Sequence, residues 1–387
     1  MKTLGHLKSY DIQLTVQSPL FIGSGENLNK KEYLLLSKEN KAIILDLEKM
    51  VVFLSRKNLL DKYQAFLLDN NQKNIYAFFR KNGITPNDYK YFSSYTIQTI
   101  GDQLLDVKDL QLFVKDAQNN AYIPGSSLKG AFRTAWLAYL LENESTNTKN
   151  NITRQWLENI EACKSKYDSR KIENELKRTT LQTANELEAK YFNTLNVNQR
   201  DTRNMVNSVM RGISFSDSTP INSSQLMLSQ KIDTDVSGNE HRLPILRECL
   251  KPATTCRFTL TLDEVMLRDT GIDIEQILYI MQWFCQYQVD HFYKKFKGRI
   301  KLPVHSRETI LWLGGGVGLQ NKTINEPALG ESNGVAYTSE VLDIIFKNHH
   351  HDKDVKKGVS PHMVKIATYQ NVQYLMGQCK LEVMADK

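Results

Sequence analysis

Polar and apolar residues alternate along residues 10–16 (Tyr-Asp-Ile-Gln-Leu-Thr-Val), the period of a half-buried strand. The alternation runs into Ser18-Pro-Leu-Phe-Ile-Gly-Ser-Gly25, a loop with two glycines. Residues 33–36 and 42–45 predict a second strand or hairpin, and residues 46–82 read as helical in pieces. Residues 91–100, rich in Tyr, Thr and Ile, predict another strand. Residues 110–114, a turn at Gln118-Asn-Asn120 and residues 121–125 carry a hairpin signal. A helix from about Ser126 to Glu142 follows.

Residues 143–205 change character. They are rich in Asn, Thr, Lys, Arg and Glu with apolar positions at helical spacing, which predicts a helical insertion with a solvated outer face. Strand character returns at 212–216, 225–232 and 257–262. Residues 272–296 predict a strong amphipathic helix, 309–313 a short strand, 340–347 a helix and 377–383 a closing strand. The elements fall into two blocks, 1–250 and 251–387. Hairpins mixed with intervening helices predict an α+β fold of ferredoxin-like domains rather than a doubly wound parallel sheet.

Composition narrows the class. A chain of 387 residues suits two domains. Net charge is +7, sequence pI about 8.9 and mean hydropathy -0.44, which favours a polyanionic partner mildly. No apolar run approaches the ~18 residues that span a bilayer, and residues 1–10 lack the apolar core of a secretory signal. The five cysteines are scattered, odd in number and without a C-x-x-C pair, so the expectation is a reduced, cytoplasmic protein with no structural zinc.

The most informative stretch is Tyr122-Ile-Pro-Gly-Ser-Ser-Leu-Lys-Gly-Ala-Phe-Arg-Thr-Ala-Trp136. Pro124 and Gly125 end the strand, and Ser126 or Ser127 is placed to cap the helix. The N–H groups of a first helical turn form an anion site, and Gly130 permits close approach of a backbone or a phosphate. Lys129 and Arg133, four apart, share a face. Leu128, Phe132, Ala135 and Tyr139 line another. An ordinary capped helix with two solvated cations fits the same residues equally well.

A second stretch, Leu311-Trp-Leu-Gly-Gly-Gly-Val-Gly-Leu319, places Gly314, Gly315, Gly316 and Gly318 after a strand, where backbone N–H groups can wrap a phosphate or simply turn tightly. It matches neither a Walker A nor a dinucleotide pattern. In a third, Arg211-Gly-Ile-Ser-Phe-Ser-Asp217, the Asp suits turn chemistry better than catalysis. His349-His-His351-Asp352 lies among Lys and Asp and reads as a solvated loop. His6, His241, His291, His305 and His362 show no ligand spacing, so no metal or other cofactor is expected.

The stretch from Ile123 to Ala135, together with Gly314-Gly-Gly-Val-Gly318, resembles the RAMP superfamily of CRISPR proteins. Pro19-Leu-Phe-Ile-Gly-Ser-Gly-Glu26 and Ile213-Ser-Phe-Ser-Asp217 resemble its other signatures. Length, the helical segment and Arg242-Leu-Pro-Ile-Leu-Arg-Glu-Cys-Leu-Lys-Pro252 look most like the guide-capping subunit of the type III-A (Csm) complex. The resemblance implies two ferredoxin-like (RRM-like) domains. It implies RNA-phosphate contacts from Ser126, Ser127, Lys129 and Arg133, with close backbone approach at Gly314, Gly315, Gly316 and Gly318. The implied partners are the guide (CRISPR) RNA and other Csm subunits, especially a RAMP backbone subunit.

Two departures bear on activity. Phe21 stands where many relatives have His, and Glu26 is the nearest carboxylate to a loop in which target-cleaving relatives carry Asp. The expectation is a structural RNA-binding subunit without catalysis of its own, gripping the guide mainly through phosphates. A metal-independent guide-processing endoribonuclease and an adaptor recruiting a trimming host nuclease are the alternatives.

Overall fold

Leu7–Val16 and Thr255–Asp263 pair antiparallel in unbroken register, from Leu7 opposite Asp263 to Thr15 opposite Thr255. In this computed structural model, residues 2–69, 74–99, 107–166, 168, 171–297, 300–301 and 308–384 are described. Ile100 and His305 lie outside them. The alternation read at the start of the chain is real: Ile12, Leu14 and Val16 are buried while Asp11, Gln13 and Thr15 face outward.

Three sheets organise the described residues. The first orders Thr309–Trp312, Gln378–Val383, Leu7–Val16, Thr255–Asp263 and Ile213–Phe215, with Lys2–Leu4 folded back on Leu7–Val16. The second has seven strands: Ile300–Lys301, Val372–Leu375, Met363–Tyr369, Leu226–Asp235, Glu240–Leu250, Asp109–Phe113 and Gly23–Asn29. The third, Tyr33–Leu36, Lys41–Leu45 and Ser93–Gln98, is covered by the helices Leu47–Arg56, Leu60–Leu68 and Ile75–Lys81. Phe66, Phe78, Phe79 and Phe92 pack there into a separate aromatic core. Asp46 caps the first of these helices by accepting the Lys49 N–H at 3.0 Å.

The expected division at residue 250 falls at the end of one strand, and both larger sheets draw strands from either side of it. A cut there would separate hydrogen-bonded neighbours in each sheet. Two further expectations change. Residues 110–125 form only a bridge between Lys115 and Ala121; Asp109–Phe113 instead runs parallel to Glu240–Leu250 and antiparallel to Gly23–Asn29. Asp116, which accepts the N–H groups of Gln118 and Asn120, closes the turn. The helix expected at 340–347 begins earlier, as Glu331–Ile345.

One buried polar network ties the third sheet to the second. Glu248, fully buried, accepts from the Tyr95 hydroxyl, from the Phe113 N–H at 2.9 Å and from the Lys115 ammonium at 2.8 Å. Each carboxylate oxygen therefore meets at least one donor, which is the condition for a carboxylate to sit in a core.

The helix Gly125–Glu142 lies at the centre. Leu128, Phe132 and Ala135 are buried, and Tyr139 meets Trp283 of the helix Ile274–His291 edge-on at 5.2 Å. Its apolar stripe thus packs chiefly against a helix. The helices Thr146–Lys166 and Ile172–Phe192 follow, anchored by Trp156 on Tyr337 and by Phe192 on Trp136.

Candidate nucleic-acid interface

The start of the central helix is held from outside. Neither Ser126 nor Ser127 caps it; Pro124 occupies the cap position without a side-chain bond. Asp217 instead accepts the Gly125 N–H at 2.8 Å, and Ser218 holds the Ile123 N–H at 2.9 Å. The Asp217 motif and the Gly125 motif are thus two halves of one joint. A carboxylate at the positive end of the helix satisfies it locally, which lowers that end's attraction for a phosphate. Gly125 is required for the joint: a Cβ there would stand 2.2 Å from the Phe215 carbonyl oxygen. Close approach was expected at Gly130, where added atoms would meet only open space.

That open space is a cleft of about 880 Å³ between the central helix and the Ile172–Phe192 helix. Ser126, Lys129, Gly130 and Arg133 line it, opposite Arg178, Arg203 and Arg211. Lys129 and Arg133 share the face that their spacing predicts. Partial burial, and then the Arg133 charge, hold the Lys129 ammonium below its usual pKa. Carboxylates offset part of the charge: Arg133 lies 3.5 Å from Glu188 and Arg203 3.4 Å from Glu186. Both pairs are exposed and worth about 0–1 kcal/mol each, so a stronger anion displaces them readily. Among the described residues, no histidine lines the cleft. Ser127 is not among the lining residues; its N–H is spent on the Pro124 carbonyl at 2.9 Å.

Gly314, Gly315, Gly316 and Gly318 form a second, separate place. Gly314 (φ +89°) and Gly318 (φ +80°) adopt the left-handed backbone open to glycine. The Gly315 N–H donates to the Phe21 carbonyl at 2.7 Å, and a Cβ on Gly314 would stand 2.2 Å from that same oxygen. Gly316 is buried under Met376. The Gly-rich turn is therefore clamped at Gly314–Gly316 between the Pro19–Glu26 loop and Met376, while Gly318 meets open space.

Sequence reasoning passed over the residues beneath this turn. Phe21 stacks on the Arg247 guanidinium at 4.8 Å. Arg247 is only 8% exposed, and its Nε donates to Gln111 at 2.8 Å. Lys231, Lys322 and Lys365 gather around it. They come from three separate stretches of chain, so no local spacing announces them; the available signal was the alternation of Leu226–Asp235, which places Lys231 in line with buried Met227 and Ser229.

The histidine tract also behaves unexpectedly. His351 is buried rather than solvated, and its Nδ1 lies 2.9 Å from Asp354, whose other oxygen meets the His362 Nδ1 at 2.6 Å. Burial alone would raise the Asp354 pKa, yet bonds from His351, His362 and Ser360 bring it down to about 2. His351, Asp354 and His362 are a metal-ligand set by type. The two His–Asp354 separations, 2.9 and 2.6 Å, are those of hydrogen bonds, shorter than the ~3.3 Å between two ligands that each stand about 2.0–2.1 Å from a tetrahedral ion.

Comparison with known proteins bears on the family and the fold. The profile of the RAMP superfamily matches residues 13–337. Among curated relatives, the CRISPR system Cms protein Csm5 of Enterococcus italicus is 28% identical over 345 residues, covering 82% of this chain and 80% of its own. The Csm5 of Mycobacterium tuberculosis is 24% identical over 404 residues and 98% of both chains. Among solved structures, a chain from the cryo-EM structure of a Csm-crRNA-target RNA ternary complex of a type III-A CRISPR-Cas system aligns with TM-score 0.65 at 20% identity, over 97% of this chain and 100% of the other. The crystal structure of T. onnurineus Csm5 aligns with TM-score 0.60 at 19% identity, over 95% and 99%. With most of its length matched by the family's profile, this chain belongs to the RAMP superfamily.

Proposed function

We propose that this chain is the guide-RNA-binding, 3′-end-capping subunit of a type III-A CRISPR effector, and that it works as a structural component rather than as a nuclease. The observation that carries the reading is a full-length likeness to Csm5 proteins combined with a cation-lined cleft on the very helix that the sequence marks. Ser126, Lys129 and Arg133 hold guide phosphates in that cleft, and other Csm subunits, first of all a RAMP backbone subunit, flank the chain. A guide's spacer varies, so grip through phosphates is the mode that tolerates any sequence. General acid-base cleavage of RNA calls for a titratable group near neutrality; among the described residues the cleft has no histidine, and its glutamates face arginines. Each larger sheet with its helices is read as one ferredoxin-like unit assembled from both sides of residue 250, with residues 143–205 inserted as the cleft's outer wall.

The test is guide retention in the assembled complex. Lys129→Ala with Arg133→Ala is expected to release guide RNA or shift its 3′ end while the subunit stays folded. Unchanged occupancy and length would refute the cleft as the grip. Cleavage of a repeat-containing RNA by the purified chain in chelator would refute the non-catalytic part.

A further inference from the structure

Around Arg247, one face of the seven-stranded sheet gathers four cations. Register fixes which residues share it. Arg247 lies opposite Ser229 and Lys365 opposite Asp233, so Lys231 falls between them on the middle strand. Lys322 reaches the same place from the short turn that follows the Gly-rich loop, and Lys365 shares a small cleft with Gly316 and Gly318.

Four cations therefore meet where the two signature loops are clamped together. Arg247 is more than nine-tenths buried, and its Nη1 has no hydrogen-bond partner among the described residues. Burial first, then Lys365 and Arg247, disfavour the charge on Lys231; burial first, then Arg247 and Lys365, disfavour it on Lys322. Asp233 is the carboxylate that acts on Arg247 and Lys231, yet it stands 3.9 Å from the Lys365 ammonium with Oδ1 unbonded. One carboxylate leaves a net excess of positive charge. A protein that keeps such a set in a half-buried place gains from an anion supplied from outside, and an unspent guanidinium edge calls for paired oxygens.

We propose that Arg247, Lys231, Lys365 and Lys322 form a seat for one phosphate group of an RNA strand, walled by Phe21 and the Gly314–Gly318 turn. It rests on the RNA-binding reading above and adds a site distinct from the Lys129 cleft. In it the glycines act as a wall: they let the turn lie flat on the Phe21 backbone and so hold Phe21 against the guanidinium. Phe21 sets the plane of Arg247 by stacking and Gln111 fixes its Nε, which leaves Nη1 as the nitrogen without a partner among the described residues.

The experiment uses the full chain with a single-stranded RNA oligonucleotide and, separately, with inorganic phosphate. For Arg247→Gln and Lys365→Gln the expected result is a roughly tenfold weaker RNA affinity each. The slope of log affinity against log salt should fall by ~0.7, the release of one phosphate contact on a single strand. Phosphate should raise the melting temperature of wild type and not of Arg247→Gln. Arg247→Lys, which keeps the charge but cannot stack or fork equally, should recover the slope and only part of the affinity; a purely structural arginine would recover neither. Unchanged affinity and slope in both Gln variants, with Lys129→Ala and Arg133→Ala still damaging, overturns the seat and leaves the RNA reading intact. Protection by phosphate in a wild-type chain that binds no RNA assigns the seat to free phosphate and overturns the RNA reading instead.

Discussion

Arg247 and Glu248 are neighbours on one strand and point to opposite faces of the same sheet. Both are buried and both belong to types that remain ionised under ordinary conditions. On one face, Glu248 is met by Tyr95, Phe113 and Lys115. On the other, Arg247 has one polar bond, an aromatic lid and three further cations. The difference teaches where to look for function in a fold whose architecture is shared. A charge that the protein satisfies from within is part of the scaffold. A charge left short of partners, at the same depth, is a place where a ligand completes the structure.

Substitutions can break this contrast. The largest effect is expected at Lys115→Ala, which leaves the Glu248 carboxylate buried without its cation; urea denaturation should show a loss of about 3–5 kcal/mol. A smaller effect tests the contrast among carboxylates. Glu326 is buried, and neither of its oxygens makes a well-formed hydrogen bond although Gln320 is near. Desolvation raises its pKa to about 7, against a weaker opposing pull from Lys295. The folded state then holds a proton that the unfolded chain has released, so stability falls as pH rises from about 4.5 to 7 and stays low above. Glu326→Gln should remove that dependence, stabilising the protein at pH 8 by about 2–3 kcal/mol and little at pH 4.5, as melting curves at the two pH values would show. The smallest shift is expected at Arg247→Met. Loss of stacking and of the Gln111 bond roughly offsets relief of cation repulsion, so stability should change by less than about 1 kcal/mol. A loss as large as that for Lys115→Ala would mean that Arg247 is scaffold too.

Much of the fold was legible locally. The alternation at 10–16 and the helical pieces within 46–82 appear as Leu7–Val16 and as three short helices. The central helix starts at Gly125, one residue from the expected place. What escaped notice depended on distant partners. Glu240–Leu250 contains a proline and five charged or histidine positions, and only its place between two other strands makes it a strand. Met363–Tyr369 and Val372–Leu375 are likewise short stretches defined by each other. At the site, the motif residues Lys129 and Arg133 come together with the cleft, since helical spacing alone decides that. The helix cap was missed because its donor of charge, Asp217, lies 92 positions away. Arg247, Lys231, Lys322 and Lys365 were invisible for the same reason: a charged cluster built across strands has no period in the sequence.

The pairing of Leu7–Val16 has one more consequence, and it concerns synthesis. This strand is flanked by Thr255–Asp263 on one side and Gln378–Val383 on the other. The bond from the Gln378 N–H to the Ser18 hydroxyl spans 360 positions. Of the sheet's strands, only Lys2–Leu4 can fold back on it early. While the ribosome is still reading the intervening codons, Leu7–Val16 lacks both of its long neighbours, and its apolar side waits for cover. Folding dominated by such distant contacts is slow and exposes sticky edges on the way. A message broken before codon 378 would yield a chain whose first long strand has only one flank. Such a chain would lack the 360-residue closure from Gln378 to Ser18 and leave one side of its first long strand open.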